Sequence, residues 1–348
     1  MGTVKFNGQV RINTTSNSTV KDYLVRFFDF DGTILKQQWV YSGQNATAPI
    51  PPAHQYLTFN SWNNAFTNVQ NDIDTGAIYD TTDGKSYLFI TLTTVTGLNP
   101  ILYFNKSTTS LLTVNWGDGT STTGNTSGNF NITHTYSAVG NYIITVDNSL
   151  GGNYGFGQNS AANTIFGQST YISILTKIYC GNFTSGTNRL AFFNSYSINY
   201  ISLSTSTNID DQTFQACSLQ HINYLKPTTA GTTFNSSPRI KNIIFPNSLT
   251  TIGNTVFGGC FGLSELKFGS LLTSIGSSTF SGLNNIVSYM FLSTTPPSIA
   301  SNTFTGINPI CKIYVPDASV NAYKAATNWS TYANYIYPLS TRPKPIII

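Results

Sequence analysis

The chain has 348 residues, of which 9% are charged and 14% aromatic, and its formal net charge is +4. Ordinary globular domains carry about 25% charged residues, whereas here uncharged polar residues dominate and the 17 lysines and arginines form no run. The composition therefore argues against nucleic acid as a partner and predicts two or three β-rich domains with a neutral, hydrogen-bonding surface.

The N-terminal segment, residues 1–20, contains neither the apolar core nor the cleavage site of a signal peptide. No later stretch approaches the roughly 20 apolar residues that cross a bilayer, and the MGTVKF start gives no clear lipidation motif. We therefore expect no membrane partner, and we assign residues 1–20 as an attachment segment.

Residues 21–76 begin with two stretches of alternating apolar residues, 23–30 and 35–40, which are separated by Asp31-Gly32. This pattern predicts a β-hairpin. Together with the closing strand around Trp62, the segment resembles the InlB-type B-repeat (Listeria–Bacteroides repeat), which implies a small β-grasp-like module. It departs from that family at Ser61, where a glycine usually precedes the tryptophan.

The same hairpin also resembles the first motif of haloacid-dehalogenase-type phosphatases, in the sequence VRFFDFDGT. That resemblance implies Asp29 as nucleophile and Asp31 as general acid around a magnesium ion, with Asp210-Asp211 as a possible acidic pair. Residues 35–150, however, show strands punctuated by turns and no amphipathic helix. We keep the phosphatase as a remote alternative and predict no catalytic site.

Residues 77–150 contain two motifs at a characteristic distance, WGDGT at 116–120 and ITHTYSAVGNYIITV at 132–146. They resemble the PKD-like domain, which implies an immunoglobulin-type β-sandwich with Trp116 pointing inward. Asp118 and His134 could form a catalytic or calcium-binding pair, but we expect a turn-capping aspartate and a structural histidine. The glycine-rich segment 151–157 is interpreted as a linker.

A phenylalanine recurs through the second half of the chain at intervals of 20, 23, 23 and 24 residues. Such a period is typical of a solenoid whose repeats bury their apolar faces against one another. After each phenylalanine, alternating apolar residues predict one short strand, which ends at Phe268, Phe291 or Val315. The recurring residues are Phe214, Phe234, Phe257, Phe280 and Phe304, with a further unit expected at Phe193.

Other core positions follow from the same register. Leu263, Ile286 and Ile310 lie six residues after their phenylalanines, and the shorter unit after Phe214 places Leu225 at the end of its strand. We expect all four side chains to point into the core.

Residues 175–340 resemble the BspA-type leucine-rich repeat of gut and oral Bacteroidota surface proteins, and residues 313–339 resemble its C-terminal cap. The cap is predicted to hold a helix over residues 320–326, with Asp317 or Ser319 as N-cap. We therefore assign the solenoid to residues 151–312 and the cap and tail to 313–348. The expected fold is mainly β and multidomain: a β-grasp-like module, an Ig-like sandwich and a leucine-rich-repeat solenoid with a short helical cap.

The four cysteines are widely separated, and none forms a CxxC or Cys/His pair. A zinc site therefore has no support, and we expect neither metal nor cofactor. Cys217 and Cys260 both lie three residues after a ladder phenylalanine, which predicts small buried free thiols. Cys180 and Cys311 are the other two.

Three binding-type modules without a catalytic constellation predict a non-enzymatic adhesive or structural protein. Because phages borrow host surface modules and virion proteins need no signal peptide, the leading hypothesis is a phage virion surface protein, either a head fibre or capsid decoration protein or a tail fibre. It would be a homotrimer that is attached to capsid or tail proteins through its N-terminal region, with the sandwich and solenoid projecting outward. The alternative is a bacterial cell-surface or secreted adhesin.

The expected partner is a host or mucin glycan, or a host surface protein. Aromatic ring faces meet sugar C–H groups, and amides reach sugar hydroxyls, so exposed Tyr and Asn residues on the solenoid are the candidate binding residues. They are Tyr196, Asn199, Tyr200, Tyr224 and Asn242.

Overall fold

The protein is mainly β, as its sequence predicts, and strands make up most of its regular structure. A computed structural model describes residues 21–93, 99–106, 108–148, 154–157, 165–166, 174–181, 192, 195–204, 212–226, 228–229 and 231–344. Phe193, where a further unit is predicted, and the pair Asp210-Asp211 lie outside these residues.

The first unit is a four-stranded sheet in the order β2-β1-β4-β3, in which β1 and β4 are parallel and the outer pairs antiparallel. We call residues 21–81 the N-terminal module. Its last strand spans the boundary expected at 76/77. The strands are β1 (Asp22–Phe28), β2 (Ile34–Tyr41), β3 (Leu57–Trp62) and β4 (Ile73–Thr81).

The predicted hairpin joins β1 to β2. The Asp29 amide donates to the Thr33 carbonyl at 2.8 Å, and the Asp31 carboxylate accepts from the Thr33 amide at 2.9 Å. Gly32 has a φ of +91°, a left-handed conformation that suits glycine. The FDFDGT motif is therefore a tight turn whose aspartates hold the backbone.

The second unit is a sandwich of two antiparallel sheets. One contains β5-β10-β7-β8 and the other contains β11-β6-β9, and the buried rings of Trp116 and Phe104 belong to the shared core. The strands are β5 (Ser86–Leu92), β6 (Ile101–Lys106), β7 (Leu112–Asn115), β8 (Ser121–Gly124), β9 (Gly128–Thr133), β10 (Gly140–Asp147) and β11 (Tyr154–Phe156).

The segment interpreted as a linker, 151–157, contains β11, which corrects that prediction. β11 pairs antiparallel with β6, and Tyr154 and Phe156 are buried in the sandwich core. The Tyr154 hydroxyl lies 2.7 Å from that of Ser86. Glycines made this strand look like a loop, although the two aromatic side chains between them face the same core.

The sandwich continues directly into the solenoid. Strand β12 (Leu175–Tyr179) pairs antiparallel with β5 of the sandwich and parallel with β13 (Tyr200–Ser202) of the next repeat. Sandwich and solenoid therefore share a six-stranded sheet and one hydrophobic core.

Each solenoid repeat contributes one short parallel strand to what we call the strand face, the outward side of these strands. After β13 come β14 (His221–Asn223), β16 (Asn242–Ile244), β18 (Glu265–Phe268), β20 (Ser288–Phe291), β22 (Lys312–Val315) and β23 (Ile336–Pro338). Two-residue strands form a second, narrower parallel sheet: β15 (Thr228–Thr229), β17 (Thr251–Ile252), β19 (Ser274–Ile275) and β21 (Ser298–Ile299).

The phenylalanine ladder is a continuous stack of buried rings. Successive ring centroids from Phe214 to Phe304 are 5.7, 6.0, 5.7 and 4.9 Å apart. Ahead of Phe214 the stacking partner is Phe192, at 5.7 Å, so the sequence prediction of Phe193 was one residue off. A second row of rings runs beside the ladder, and its successive ring centroids are 5.1–5.6 Å apart. The row consists of Tyr224, Phe245, Phe268 and Phe291.

The strand register confirms most of the predicted core. Leu266, Tyr289 and Ile313 are Cα partners on neighbouring strands and are all buried. One prediction was wrong: Ile310 is 70% exposed, because the chain turns outward before β22. Leu225 is partly buried and packs against the core. The fully buried ring of this repeat belongs to Tyr224, one residue earlier, because the shorter repeat moves its register by one residue.

The cap closes the open end of the ladder with aromatic rings. Trp329 lies 5.4 Å from Phe291 and 5.5 Å from Phe304. The predicted helix is present as α1 (Val320–Ala325), after one 3-10 turn at Asp317–Ser319. Neither predicted N-cap side chain caps it: Ser319 Oγ donates to the Thr294 carbonyl, and the Asp317 carboxylate accepts from the Ser340 amide.

Cys217 and Cys260 are buried and free, as predicted, and so are Cys180 and Cys311. Two of them link neighbouring repeats: the thiol of Cys217 donates to the Phe192 carbonyl at 2.7 Å, and that of Cys260 to the Phe234 carbonyl at 3.0 Å. In the repeat between them, Ser237 donates to the Phe214 carbonyl in the same way. In these three repeats the position holds a small side chain that donates a hydrogen bond, whereas the next two repeats have Leu283 and Ile307 there.

The ladder predicts a sharp contrast between two neighbouring phenylalanines. Phe257→Ala should lower the free energy of unfolding by about 3–5 kcal/mol, because a cavity then interrupts the stack. Phe261→Ala, a change at a ring that is 48% exposed in the same repeat, should cost less than about 1 kcal/mol. Urea unfolding of both variants measures the difference, and equal losses would contradict a continuous ladder.

Candidate functional site

The N-terminal module lies on the strand face and is held there by two asparagines. Asn63 Nδ2 donates to the carbonyls of Ile244 and Tyr224 at 3.1 and 3.4 Å. Asn64 Nδ2 donates to the Phe245 carbonyl at 2.9 Å, while its Oδ1 accepts from the Asn247 amide at 2.6 Å. These amides satisfy backbone groups at the ends of solenoid strands, which fixes the register between the two units.

Two side chains of β14 make the reciprocal contacts. Asn223 Nδ2 donates to the Ala77 carbonyl at 2.9 Å, and its Oδ1 accepts from His221 Nε2 at 2.8 Å. The His221 ring stacks on Phe28 at 5.9 Å and covers Gly32, where a Cβ would lie 2.8 Å from the imidazole Cγ. Burial lowers the pKa of His221 to about 4, so the ring is neutral near pH 7.

An aromatic cluster joins the module to the sandwich and to the first solenoid strand. Phe30, in the hairpin turn, lies edge-on to Tyr179 of β12 at 5.6 Å, and Tyr56 stacks on Tyr87 of β5 at 4.2 Å. Such pairs add about 0.5–1.5 kcal/mol each beyond burial of their area. The module is thus bound to both other units. The expectation that the solenoid projects outward from a separate N-terminal unit is therefore wrong.

A network of charges lies at the other end of the contact between the module and the solenoid. Arg26 and Asp74 form a bidentate pair at 2.7 and 2.8 Å within the module. Arg342, in the C-terminal tail, donates to Asp72 of the module at 2.9 Å and to both carboxylate oxygens of Glu265 at 2.8–2.9 Å. Lys267 donates to the Asp72 carbonyl.

Burial changes the pKa values in this network. Loss of hydration lowers the pKa of the Lys267 ammonium, although Asp74 and Asp72 act against this. Burial alone would raise the pKa of Asp74, but Lys267, Arg26 and Arg342 outweigh it and hold that pKa below its ordinary value. Asp74 therefore stays ionised around neutral pH.

Beside this network, a cleft of about 660 Å³ opens between the module, the strand face and the C-terminal tail. Six cationic and two carboxylate side chains line it, and we call it the cationic cleft. Six of the chain's 17 lysines and arginines thus surround one cleft. The charged lining residues are Arg26, Lys241, Lys267, Lys312, Arg342, Lys344, Asp74 and Glu265.

Most of these cations hold the cleft together, and two are available to a ligand. Arg26, Arg342 and Lys344 pair with carboxylates, Lys344 with Asp22. Lys241 and Lys312 are exposed, and among the residues that the structure describes no carboxylate pairs with either one. The Lys312 ammonium lies 5.2 Å from the Tyr337 ring centroid.

The predicted binding residues lie in two places, and one prediction was wrong. Asn242, the first residue of β16, lines the cationic cleft. Tyr196, Asn199 and Tyr200 lie at the second strand of the solenoid and do not line the cleft, although both tyrosines are exposed. Tyr224 is fully buried, because it belongs to the inner row of rings with Phe245.

The carboxylates that could have indicated chemistry have structural roles. Asp29 is buried, accepts from the Phe30 amide and lies 2.8 Å from His54 Nε2. Asp118 accepts from the amide and hydroxyl of Thr120 and lies 2.7 Å from His134 Nε2, whose ring stacks on Trp116 at 4.7 Å. Within the described ranges, no three His, Cys, Asp or Glu side chains could hold a metal ion.

The solenoid region matches one family model. The model for the BspA type leucine rich repeat region, in six copies, matches residues 158–231 and 228–330. Residues 158–330 are therefore similar to a BspA-type leucine-rich repeat region. No curated protein matches the chain. None of the helices in the described part of the chain is long and apolar enough to cross a membrane.

The buried His221 at the docking contact predicts a loss of stability in mild acid. Its pKa is lower in the folded chain (about 4) than in the unfolded chain (6.5), so the unfolded chain binds more protons between these values. Stability is therefore complete above pH 6.5 and falls by about 3 kcal/mol as the pH drops to 4. Asp29, Asp31 and Asp74 are the nearby carboxylates, and they act to raise the histidine pKa.

Urea unfolding from pH 7 to pH 4.5 measures this loss. The His221→Gln variant cannot titrate at this position, so its stability should change less over the same range. His134→Gln, the same substitution at the histidine of the sandwich, is measured alongside as the matched control for loss of an imidazole. An identical pH profile for His221→Gln and the wild type would contradict the assignment.

Proposed function

We propose that the protein is a non-enzymatic, adhesin-like binding protein and that its ligand occupies the cationic cleft. The observation that carries this proposal is the cleft itself, which exposes unpaired lysines beside exposed apolar side chains on the strand face of a leucine-rich repeat region. Its volume lies within the range of about 300–1,000 Å³ that is usual for ligand pockets. The partner class is a host or mucin glycan, or a host surface protein.

The way the three units are joined supports binding rather than turnover. The sandwich shares a sheet with the solenoid, and the module is fixed to both by hydrogen bonds and aromatic contacts. A site between units that are held in one register keeps its shape before the ligand arrives, which lowers the cost of binding. Asp29 and Asp118 are engaged in turns and histidine contacts.

We also propose where the protein is displayed. The InlB-repeat-like motif of the N-terminal module and the PKD-like motifs of the sandwich support a modular surface protein. The phage virion is the first placement, with a homotrimer that is attached to capsid or tail proteins through the N-terminal region, and the bacterial cell surface is the alternative. Gold-conjugated antibodies against residues 231–344 should decorate phage particles in micrographs, whereas decoration of bacterial cells alone would contradict the virion placement.

Binding through the cleft can be tested without assuming the chemistry of the ligand. The purified full chain is applied to a glycan array and to immobilised mucin, alongside a Val287→Trp variant. Val287 is 45% exposed and lines the cleft, so an indole there should obstruct it and weaken binding about tenfold or more, or ~1.4 kcal/mol. Leu271→Trp provides the control, since Leu271 is 56% exposed on the solenoid but does not line the cleft. Equal binding by both variants would contradict the cleft as the site.

A further inference from the structure

We infer that the cationic cleft binds an anionic polysaccharide, a sugar chain that bears carboxylate or sulfate groups at intervals. The inference rests on the proposed function and gives the chemistry of the ligand. Four features carry it: the concentration of charge, the kind of cation that is free, the separation of those cations and the character of the walls.

The concentration of charge distinguishes the cleft from the rest of the surface. Only 9% of the residues are charged, yet six cations line this cleft. They meet four carboxylates, two in the lining and two, Asp72 and Asp22, that pair with Arg342 and Lys344, so a formal excess of two positive charges remains. A cleft with an excess of one sign of charge attracts ligands of the opposite sign. A neutral sugar would gain nothing from this arrangement.

The free cations are ammonium groups rather than guanidinium groups. Arg26 and Arg342 donate bidentate pairs to carboxylates and so form part of the floor. Lys241 and Lys312 remain exposed. Lysine acts as a flexible point charge, whereas arginine recognises one planar anion in a fixed geometry. The cleft is therefore suited to anions whose orientation varies along a chain.

The separation of the two lysines suits an extended ligand. Glu265, Ser288 and Lys312 occupy the same register on β18, β20 and β22. Lys241 immediately precedes β16, in the repeat before β18. Three strand spacings separate these positions, roughly 14 Å at 4.8 Å each. A sugar chain with repeated anionic groups can place one group at each lysine.

The walls between the lysines match a sugar rather than a nucleic acid. Val287 and Ile310 expose apolar surface that can meet sugar C–H groups, and Asn242 and Ser264 can reach hydroxyls. Single-stranded nucleic acids need exposed aromatic rings on which bases stack. The cleft offers none among the described residues, because the rings of Phe28 and Tyr314 are buried.

The test compares defined polymers on the full-length chain by calorimetry at low and moderate salt. The probes are heparin and chondroitin sulfate for sulfate groups, polygalacturonate for carboxylate groups, dextran as a neutral polymer, polyglutamate as an acidic peptide and single-stranded DNA. We expect at least one anionic polysaccharide to bind, to weaken as salt rises and to exceed dextran tenfold or more. The polymer type that binds more tightly, sulfated or carboxylated, identifies the anionic group that the cleft recognises.

Charge-reversal variants connect the binding to the cleft. The double variant Lys241→Glu/Lys312→Glu should reduce the affinity for the anionic polysaccharide tenfold or more, and both positions are exposed, so the fold should be kept. Lys324→Glu changes an exposed lysine of α1 outside the cleft and should leave the affinity unchanged. Thermal unfolding checks that all variants are folded.

The other outcomes overturn the inference in distinguishable ways. Binding of neutral glycans alone would overturn the anionic ligand but leave the proposed adhesin-like function standing. Equal affinity for polyglutamate or single-stranded DNA, with the same loss in the double variant, would indicate general attraction of polyanions and overturn the sugar assignment. Failure to bind any polysaccharide, together with an empty glycan array and no mucin binding, would overturn both proposals.

Discussion

Stacking between neighbouring repeats is the constraint on which the rest of the structure depends. A single repeat of about 23 residues cannot bury its own apolar face, so each ladder phenylalanine is covered only when the next repeat supplies another ring, 4.9–6.0 Å away. This repeat distance sets the spacing of the parallel strands, and hence the spacing of every side chain on the strand face. The two ends of the stack are closed in different ways. Trp329 covers one end, and strand pairing with the sandwich continues the sheet at the other.

The strand face that results is divided between an intramolecular partner and solvent. Docking of the N-terminal module relies on amides that bond to backbone carbonyls, and on glycines that allow close approach to His221 and Asn223. Such contacts are directional, and a module placed differently would leave buried amides unpaired. Each unpaired buried amide costs about 1–3 kcal/mol. They place the module in one position, and the cationic cleft begins where the module ends.

The repeat period made the solenoid predictable, because a wrong residue assignment in one repeat is revealed by comparison with the other repeats. The rows that contain Leu266 and Phe268 followed directly from counting residues. The count failed where one repeat is shorter, at Tyr224, and where strand residues lie between glycines, at Tyr154. The docked module could not be predicted, because Asn63 and Asn64 carry no periodic signal. Among the cleft residues, Lys312 could have been found by comparing repeat positions, because it shares its register with Ser288 and Glu265. Arg26 lies in the module, outside the repeats, and could not be found in this way.

The low charge of the chain and the charge of its cleft are consistent with one another. Where most of the surface is neutral, a few ionised groups determine the local field, since the Debye length of about 8 Å at physiological salt limits the reach of distant charges. Partly buried carboxylates fix Arg26 and Arg342, and these pairs hold module, repeats and tail together. Lys241 and Lys312 remain outside that network. The walls of the cleft therefore form only when the three segments are assembled, although both free lysines belong to the repeats.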